Sequence, residues 1–361
     1  MIEDAVPLDR VRRALIIKLR HHGDVLLTSP VISVLKNHAP QAEIDALVYA
    51  DTAEMLALHP SLAQLHAVDR NWKRAGRIAQ ARAEWRLLST LRARRYDLIV
   101  HLTDHPRGAW LARLLGARHA VGPKRNDEAG WWRRSFTHRY AQVARTGRHT
   151  VERNLDALRR IGIQPGEDER ALTLVAGEQA QGRVSGLLHQ HALNARGFIL
   201  LHPASRWLFK CWPVERNAAL LDALHADGWP VVLTAAPDQR ERDMVAAIVA
   251  ASRAPAIDLA GQLSLKELAA LTARARLFVG VDSAPMHVAA AVGTPVVALF
   301  GPSSDSDWGP WGVEARVVTS TRHACRPCGL DGCGGGKISE CLTTLPIERV
   351  LQAVRELLAA R

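Results

Sequence analysis

Apolar residues along this chain fall into two rhythms: short continuous runs of a few residues, and longer stretches in which they recur every three or four positions. The first rhythm reads as buried strands, the second as amphipathic helices. From residue 14, ALIIKLR opens as a strand, HHGD is a turn, VLLTSPVISVLKNHAP is a helix that tolerates Pro30 near its first turns, and AEIDALVY is the next strand. LHAVD, YDLIVHLT and a short strand before Gly122 follow, separated by a long helix from about Lys73 to Arg94 and another over GAWLARLLG. Residues 123–148 interrupt the alternation with an irregular, basic and aromatic stretch holding Trp131, Trp132, Arg133 and Arg134. The helix TVERNLDALRRIGI then ends near Pro165-Gly166. Beyond it the rhythm restarts, with RALTLV, GFILLHPAS, PVVLTAA, AIDLAG, FVGV, PVVALFG and ARVVTS as strands and helices between them. The closing PIERVLQAVRELLAA is amphipathic and is expected to pack back across the junction of the two halves.

Strands alternating with helices make a parallel sheet covered on both faces, so the fold class is α/β. A chain of 361 residues holds two such units, and each half begins with a strand and a tight turn. The architecture expected is two doubly wound, Rossmann-like domains facing a central cleft: residues 1–168, residues 169–345, and a C-terminal helix over 346–361. Ligands of such sheets bind outside the carboxyl ends of the strands.

Within the second half, FVGVDSAPMHVAAAVGTPVVALFGPS (278–303) is strand, turn, helix and strand. Its turn, Asp282-Ser283-Ala284-Pro285, aims main-chain N–H groups and the positive end of a helix dipole at one spot, which suits a phosphate or diphosphate. Neither G-x-G-x-x-G nor G-x-x-x-x-G-K-[ST] occurs there, which argues against a dinucleotide fingerprint or a P-loop.

Composition adds one strong feature, a formal charge of +11 from 47 Lys and Arg against 36 Asp and Glu. Such an excess calls for an anionic partner: nucleic acid, an acidic membrane surface, or a substrate bearing phosphates and carboxylates. The amino terminus, MIEDAVPLDRVRR, lacks the basic start and apolar centre of a secretion signal, and nothing approaches the ~20 apolar residues of a spanning helix. The expected location is therefore cytoplasmic, peripheral to a membrane if it meets one. Of five cysteines, Cys325, Cys328, Cys333 and Cys341 are clustered as C-x2-C-x4-C-x7-C. That spacing could hold zinc, but the preferred reading is a reduced glycine-rich loop without metal.

Three groups of residues could carry chemistry. Asp24, in HHGDVLL, is either a helix N-cap or a general base for an acceptor hydroxyl. Lys210, in HPASRWLFKCWP, follows Ser205 and Arg206 after a strand end, where a point charge and a hydroxyl suit a diphosphate. Between Arg70 and Arg95, nine Lys and Arg face Glu84 alone among carboxylates near the helix, a pattern that is either a solvated face or a surface for acidic groups. His202 and His287 read as packing residues. No zinc finger, RRM signature or obvious helix-turn-helix accompanies the charge, so nucleic acid is not the expected partner.

Taken together, LIIKLRHHGDVLLTSPVISVLK, HPASRWLFKCWP and LAGQLSLKELAALTARARLFVGVDSAPMHVAAAVGTPVVALFGPS resemble the ADP-heptose:lipopolysaccharide heptosyltransferase family of bacterial glycosyltransferases. Within it, R-x-H-G-D followed by L-L-T-x-P, with S-R-W-L-F-K-C-W, most resembles the heptosyltransferase III branch. The resemblance implies GT-B architecture, with the acceptor on the first domain and the ADP-sugar on the second. It implies inverting, single-displacement transfer of heptose from ADP-L-glycero-D-manno-heptose to an inner-core heptose of lipopolysaccharide, at the inner leaflet of the cytoplasmic membrane, with no cofactor or metal required. By motif position Asp24 falls on the general base, Lys210 on the lysine that neutralises departing ADP, and Asp282 on the carboxylate that holds sugar hydroxyls. Ser205, Ser283, Ala284 and Pro285 complete the donor side, with adenine near Gly261 and Leu263. Gly23, Arg70, Lys73, Arg74 and Arg77 are assigned to the acceptor. The chain departs from the family at Ala204, where a hydroxyl is usual, and at Ala284-Pro285, where Gly is the commoner second residue. A GT-B enzyme using another sugar or acceptor, and a non-catalytic basic protein binding nucleic acid or membrane, are the alternatives.

Overall fold

The computed structural model describes residues 4–125, 129–141 and 147–360. The chain divides into two compact units, Met1–Thr173 and Leu174–Arg361, a division that falls just beyond the expected boundary at 168/169.

In the first unit the chain runs β1 (Arg13–Ile17), α1 (His22–Leu26), α2 (Ser29–His38), β2 (Glu43–Tyr49), β3 (Gln64–Val68), α3 (Arg77–Arg94), β4 (Leu98–His101), α4 (Pro106–Leu115), β5 (His119–Pro123), α5 (Gly130–Arg133), β6 (His138–Tyr140) and α6 (Thr150–Arg159). The second holds α7 (Glu178–Gln190), β7 (Ile199–His202), α8 (Val214–Ala226), β8 (Val231–Leu233), α9 (Gln239–Ala251), β9 (Ile257–Asp258), α10 (Leu265–Arg274), β10 (Leu277–Val281), α11 (Ala284–Ala291), β11 (Val296–Phe300), α12 (Asp305–Trp308), β12 (Ala315–Thr319), α13 (Glu340–Thr343) and α14 (Ile347–Ala359).

Each unit is built on one six-stranded parallel sheet, ordered β3-β2-β1-β4-β5-β6 in the first and β9-β8-β7-β10-β11-β12 in the second. Strand for strand the two orders are the same, so the direction of winding reverses between β1 and β4 and again between β7 and β10. A parallel sheet is buried on both faces, which is why its strands are continuous apolar runs. In the second unit Ile199 and Leu201 of β7 face one core and Phe198 and Leu200 beside them face the other. The two layers of helices are thereby fixed on opposite sides of one sheet.

The structure departs from the sequence reading at five places. The stretch 123–148, expected to be irregular, supplies α5 and the edge strand β6, which pairs with β5 and completes the sheet. HHGD is not wholly a turn: α1 begins at His22, ends at Leu26, and the chain restarts as α2 with Pro30 in its first turn. Pro30 has no N–H to continue the α1 ladder, so the one expected helix is two. The long basic helix is also divided, since Arg70–Arg74 form a 3-10 turn, Gly76 takes φ +90°, and α3 starts only at Arg77. RALTLV is not a strand; it runs as irregular chain in which the Thr173 N–H donates to Ser29 Oγ at 3.0 Å. The closing helix α14 packs on β10, β11, β12 and α8 of its own unit, with Val350, Val354 and Leu357 in the core that also holds Ile199. No helix among the described residues is long and apolar enough to cross a membrane.

Candidate active site

In the second unit the sheet's reversal point brings two segments together. β7 and β10 are paired neighbours with His202 opposite Gly280, so the loops leaving their carboxyl ends emerge side by side. After β10 the chain passes through Asp282 into α11, with Ser283 at the N-cap in extended conformation and Pro285 in the first helical turn. Ala284 begins the helix at negative φ, so glycine is not needed there. The Ser283 hydroxyl makes no capping bond and donates back to the Val281 carbonyl at 3.2 Å. The main-chain N–H groups of Ser283 and Ala284 make no hydrogen bond among the described residues, and Pro285 has none to offer. Two donors at a helix N-terminus are thus left for a ligand.

After β7 the HPASRWLFKCWP segment folds into a 3-10 turn, Leu208–Lys210. Buried Phe209 and Trp212 flank Lys210 and fix the turn, the Phe209 carbonyl accepting from Ser339 Oγ at 2.6 Å and the Trp212 indole donating to the Leu345 carbonyl at 3.0 Å. Lys210 therefore points back over the sheet end, and its Nζ lies 2.6 Å from Asp282 Oδ2. The side chains are 23% and 9% exposed. An ion pair this enclosed is screened little by water, and each member keeps the other from being a lone buried charge. Ser205, earlier in the same segment, is buried, and its Oγ accepts from the Trp207 N–H at 3.3 Å. His202 is buried and held to Thr234 Oγ1 at 2.9 Å, and burial pulls its imidazole down to about 4, so it is a neutral packing residue.

Gly261 and Leu263 lie elsewhere on this unit, in the turn between β9 and α10, two strands from β7. Gly261 has φ +74°, and a side chain there would sit 2.8 Å from Arg242 Cδ. Leu263 packs against the core.

In the first unit the reversal point lies between β1 and β4. Asp24 is the third residue of α1 and half-buried; the N-cap is His21, so the capping reading of Asp24 does not hold. No hydrogen bond to the Asp24 carboxylate is made among the described residues, although its backbone carbonyl accepts from Thr28 Oγ1 at 3.0 Å. Gly23 precedes it in the same helix. Beneath them lies a buried cation that sequence reasoning missed. Lys18, just past β1, donates to Asn154 Oδ1 at 2.9 Å and to the Leu102 carbonyl at 3.3 Å. Burial pulls its ammonium down to about 8, with the negative charge of Asp24 working against the fall. Asn154 also donates to the Leu27 carbonyl at 2.9 Å, tying α6 to the break after α1.

Arg70 sits over the Tyr49 ring, 3.7 Å from its centroid, and bonds Asp51 Oδ1 and the Arg20 carbonyl, each at 3.2 Å. It is brought to the end of β1, whereas Arg74 and Arg77 are exposed farther along. The side chain of Lys73 lies outside the described residues. The sequence reading also missed a basic cavity of about 490 Å³ at the β6 edge, lined by Lys124, Arg139, Arg148, Arg153, Arg159 and Arg160 with Asp156 as its carboxylate. Asp156 holds both Arg148 and Arg159, and Arg160 is paired with Asp4. These positions are scattered over forty residues, so no local motif announces them.

The cysteines are unbridged. Cys341 is buried, with its thiol raised by burial; Cys325 and Cys333 are exposed, and Cys333 Sγ accepts from the Glu340 N–H at 3.4 Å. No group of three or more His, Cys, Asp or Glu side chains is placed to hold a metal among the described residues.

Comparison with known proteins gives a consistent result. Residues 84–338 match glycosyltransferase family 9 (heptosyltransferase). Lipopolysaccharide heptosyltransferase 3 of Escherichia coli is 38% identical over 296 residues, covering 81% of this chain and 84% of that protein. Among solved structures, the glycosyl transferase family 9 protein from Veillonella parvula aligns with a TM-score of 0.84 at 25% identity, over 99% of this chain and 100% of its own. E. coli heptosyltransferase WaaC with ADP aligns with a TM-score of 0.71 at 20% identity, over 96% of this chain and 99% of its own. The two-unit fold is that of the GT-B glycosyltransferases.

Proposed function

Because the chain belongs to glycosyltransferase family 9, the heptosyltransferases, we propose that it moves heptose from ADP-L-glycero-D-manno-heptose to an inner-core heptose of lipopolysaccharide. The observation that carries this reading is the Lys210–Asp282 pair at the reversal point of the second sheet, 2.6 Å apart and beside the open N–H groups of α11. A nucleoside diphosphate fits there by charge and by main-chain donors. That E. coli WaaC, of the same fold, was solved with ADP supports ADP as the leaving group.

In this account the acceptor hydroxyl attacks the anomeric carbon as the bond to the diphosphate oxygen breaks, in one displacement that inverts the centre. Asp24, free of side-chain partners among the described residues, takes the hydroxyl proton. Lys210 and the Ser283 and Ala284 N–H groups bear the charge that grows on ADP. Asp282 orders Lys210 and accepts from the hydroxyls of the bound donor sugar. Ser205 donates to the diphosphate, and Gly261 and Leu263 border the adenine. Ala204 offers no hydroxyl, so Ser205 is the one hydroxyl that this pair of positions brings to the diphosphate. On the acceptor side Gly23, Arg70, Lys73, Arg74 and Arg77 meet an anionic saccharide, and the cavity at β6 is sized for one phosphorylated or carboxylated sugar. The Kdo carboxylates and core phosphates of the acceptor match this charge. The enzyme works without a metal, at the inner face of the cytoplasmic membrane and peripheral to it.

The test offers purified protein several nucleotide sugars with defined heptosylated core acceptors. Heptose transfer from ADP-heptose is expected; consumption of another nucleotide sugar with none of ADP-heptose would replace the donor assignment. Asp24→Ala should abolish transfer, and full activity in that variant would remove Asp24 as base.

A further inference from the structure

We infer that the outer face of α3 and α4 is a docking surface for an anionic phospholipid bilayer. The inference rests on the peripheral membrane location proposed above and names the surface responsible.

α3 is apolar on two opposite sides. Leu87 and Leu91 enter the core, as an amphipathic helix requires. Ile78 and Trp85, seven residues apart and so on one face, point the other way and are 80% and 64% exposed. Arg82 and Ser89, four residues on from each, share that outward face and are exposed too. Beside them α4 presents Trp110, 47% exposed, its ring stacked on Trp131 with centroids 4.9 Å apart, and Leu114. The two helices are fixed side by side by the Arg107–Glu84 ion pair at 2.5 Å and by Arg92 donating to the Leu114 carbonyl at 3.3 Å. Among the described residues of the first unit, every large apolar side chain that is exposed, Leu58 excepted, is on these two helices. Scattered exposed apolar residues need no explanation, but a cluster containing two tryptophans does.

The charge around the cluster selects its occupant. α3 carries five arginines and one carboxylate, Glu84, which is occupied by Arg107. Protein interfaces also favour tryptophan and arginine, but here the charge is of one sign, five arginines against one carboxylate that is already paired, so a second copy of this face would oppose it with like charge. Tryptophan and arginine interleaved on a helix face suit the headgroup boundary of a bilayer, where indoles sit among the upper acyl chains and guanidinium groups reach lipid phosphates. The like-charge repulsion along α3 is relieved in the same step.

The test measures cosedimentation of the full chain with phosphatidylglycerol/phosphatidylethanolamine vesicles and with neutral phosphatidylcholine vesicles. Wild type should bind the anionic vesicles and release them at high salt. Trp85→Ser with Trp110→Ser should weaken binding by roughly tenfold or more while transfer to a water-soluble acceptor is retained. If that variant does not fold, Arg82→Gln with Arg86→Gln, confined to the solvent face, should weaken it by a similar factor. Binding by wild type with no loss in either variant overturns this surface and leaves the membrane location standing. No binding by wild type overturns both, while the soluble-acceptor assay still tests the transferase reading by itself. A concentration-dependent dimer abolished by the tryptophan substitutions, without vesicle binding, would assign the face to a second copy and overturn the proposal.

Discussion

At the reversal point of the first sheet a cation from the loop after β1, Arg20, pairs with Asp104 after β4; at that of the second, Lys210 after β7 pairs with Asp282 after β10. The same strand order has placed the same two charges at the same topological position in both units. Their surroundings differ. Arg20 and Asp104 are 46% and 56% exposed, Lys210 and Asp282 23% and 9%. Water screens the first pair far more than the second. The overall charge is also divided unequally: residues 1–173 hold 29 Lys and Arg against 19 Asp and Glu, residues 174–361 hold 18 against 17. One scaffold thus serves two tasks. Under the function proposed, the positive field of the first unit draws a large anionic acceptor, and the enclosed Lys210 of the second meets a compact diphosphate.

If the enclosed pair is chemical and the exposed pair is not, Lys210→Ala should lower kcat at saturating donor on the order of 10²-fold or more, and Arg20→Ala by less than about tenfold. Equal losses in steady-state assays would erase the distinction. Stability should divide the same way. Asp282→Ala leaves an enclosed ammonium unpaired and should cost about 1–2 kcal/mol in urea unfolding, against ~0.5 kcal/mol or less for Asp104→Ala.

A smaller effect belongs to the first unit alone. Lys18 holds its proton less tightly when folded, so above about pH 8 the unfolded chain binds a proton that the folded chain does not, and stability rises with pH toward the ordinary lysine range. Between pH 8 and 9.5 wild type should gain on the order of 1 kcal/mol relative to Lys18→Met, read from urea midpoints. A pH dependence identical in the two proteins would show that Lys18 keeps its charge when buried.

Most of the strands were legible in the sequence because a parallel sheet buries both faces and leaves unbroken runs such as LFVGV and VVALF. RALTLV has the same look but no strand partner, and nothing local distinguishes the two cases. The break at Gly76 follows from a positive φ that glycine permits without revealing. At the site, the turn around Asp282 was legible because strand, turn and helix are contiguous. That Lys210 touches it was not, since 72 residues separate them and only the β7–β10 pairing closes the distance. Lys18 escaped notice for a related reason: its partners Asn154 and Leu102 come from α6 and the end of β4, and a lysine in LIIKLR looks like any strand-end charge.

The central claim, that the second unit holds the donor's diphosphate through Lys210 while the base on the first unit has no part in holding it, is tested most directly by calorimetric titration of ADP into Lys210→Ala and Asp24→Ala. Lys210→Ala should bind ADP roughly tenfold or more weakly than wild type, and Asp24→Ala should bind it as wild type does. Wild-type affinity in Lys210→Ala, or lost affinity in Asp24→Ala, would contradict the account.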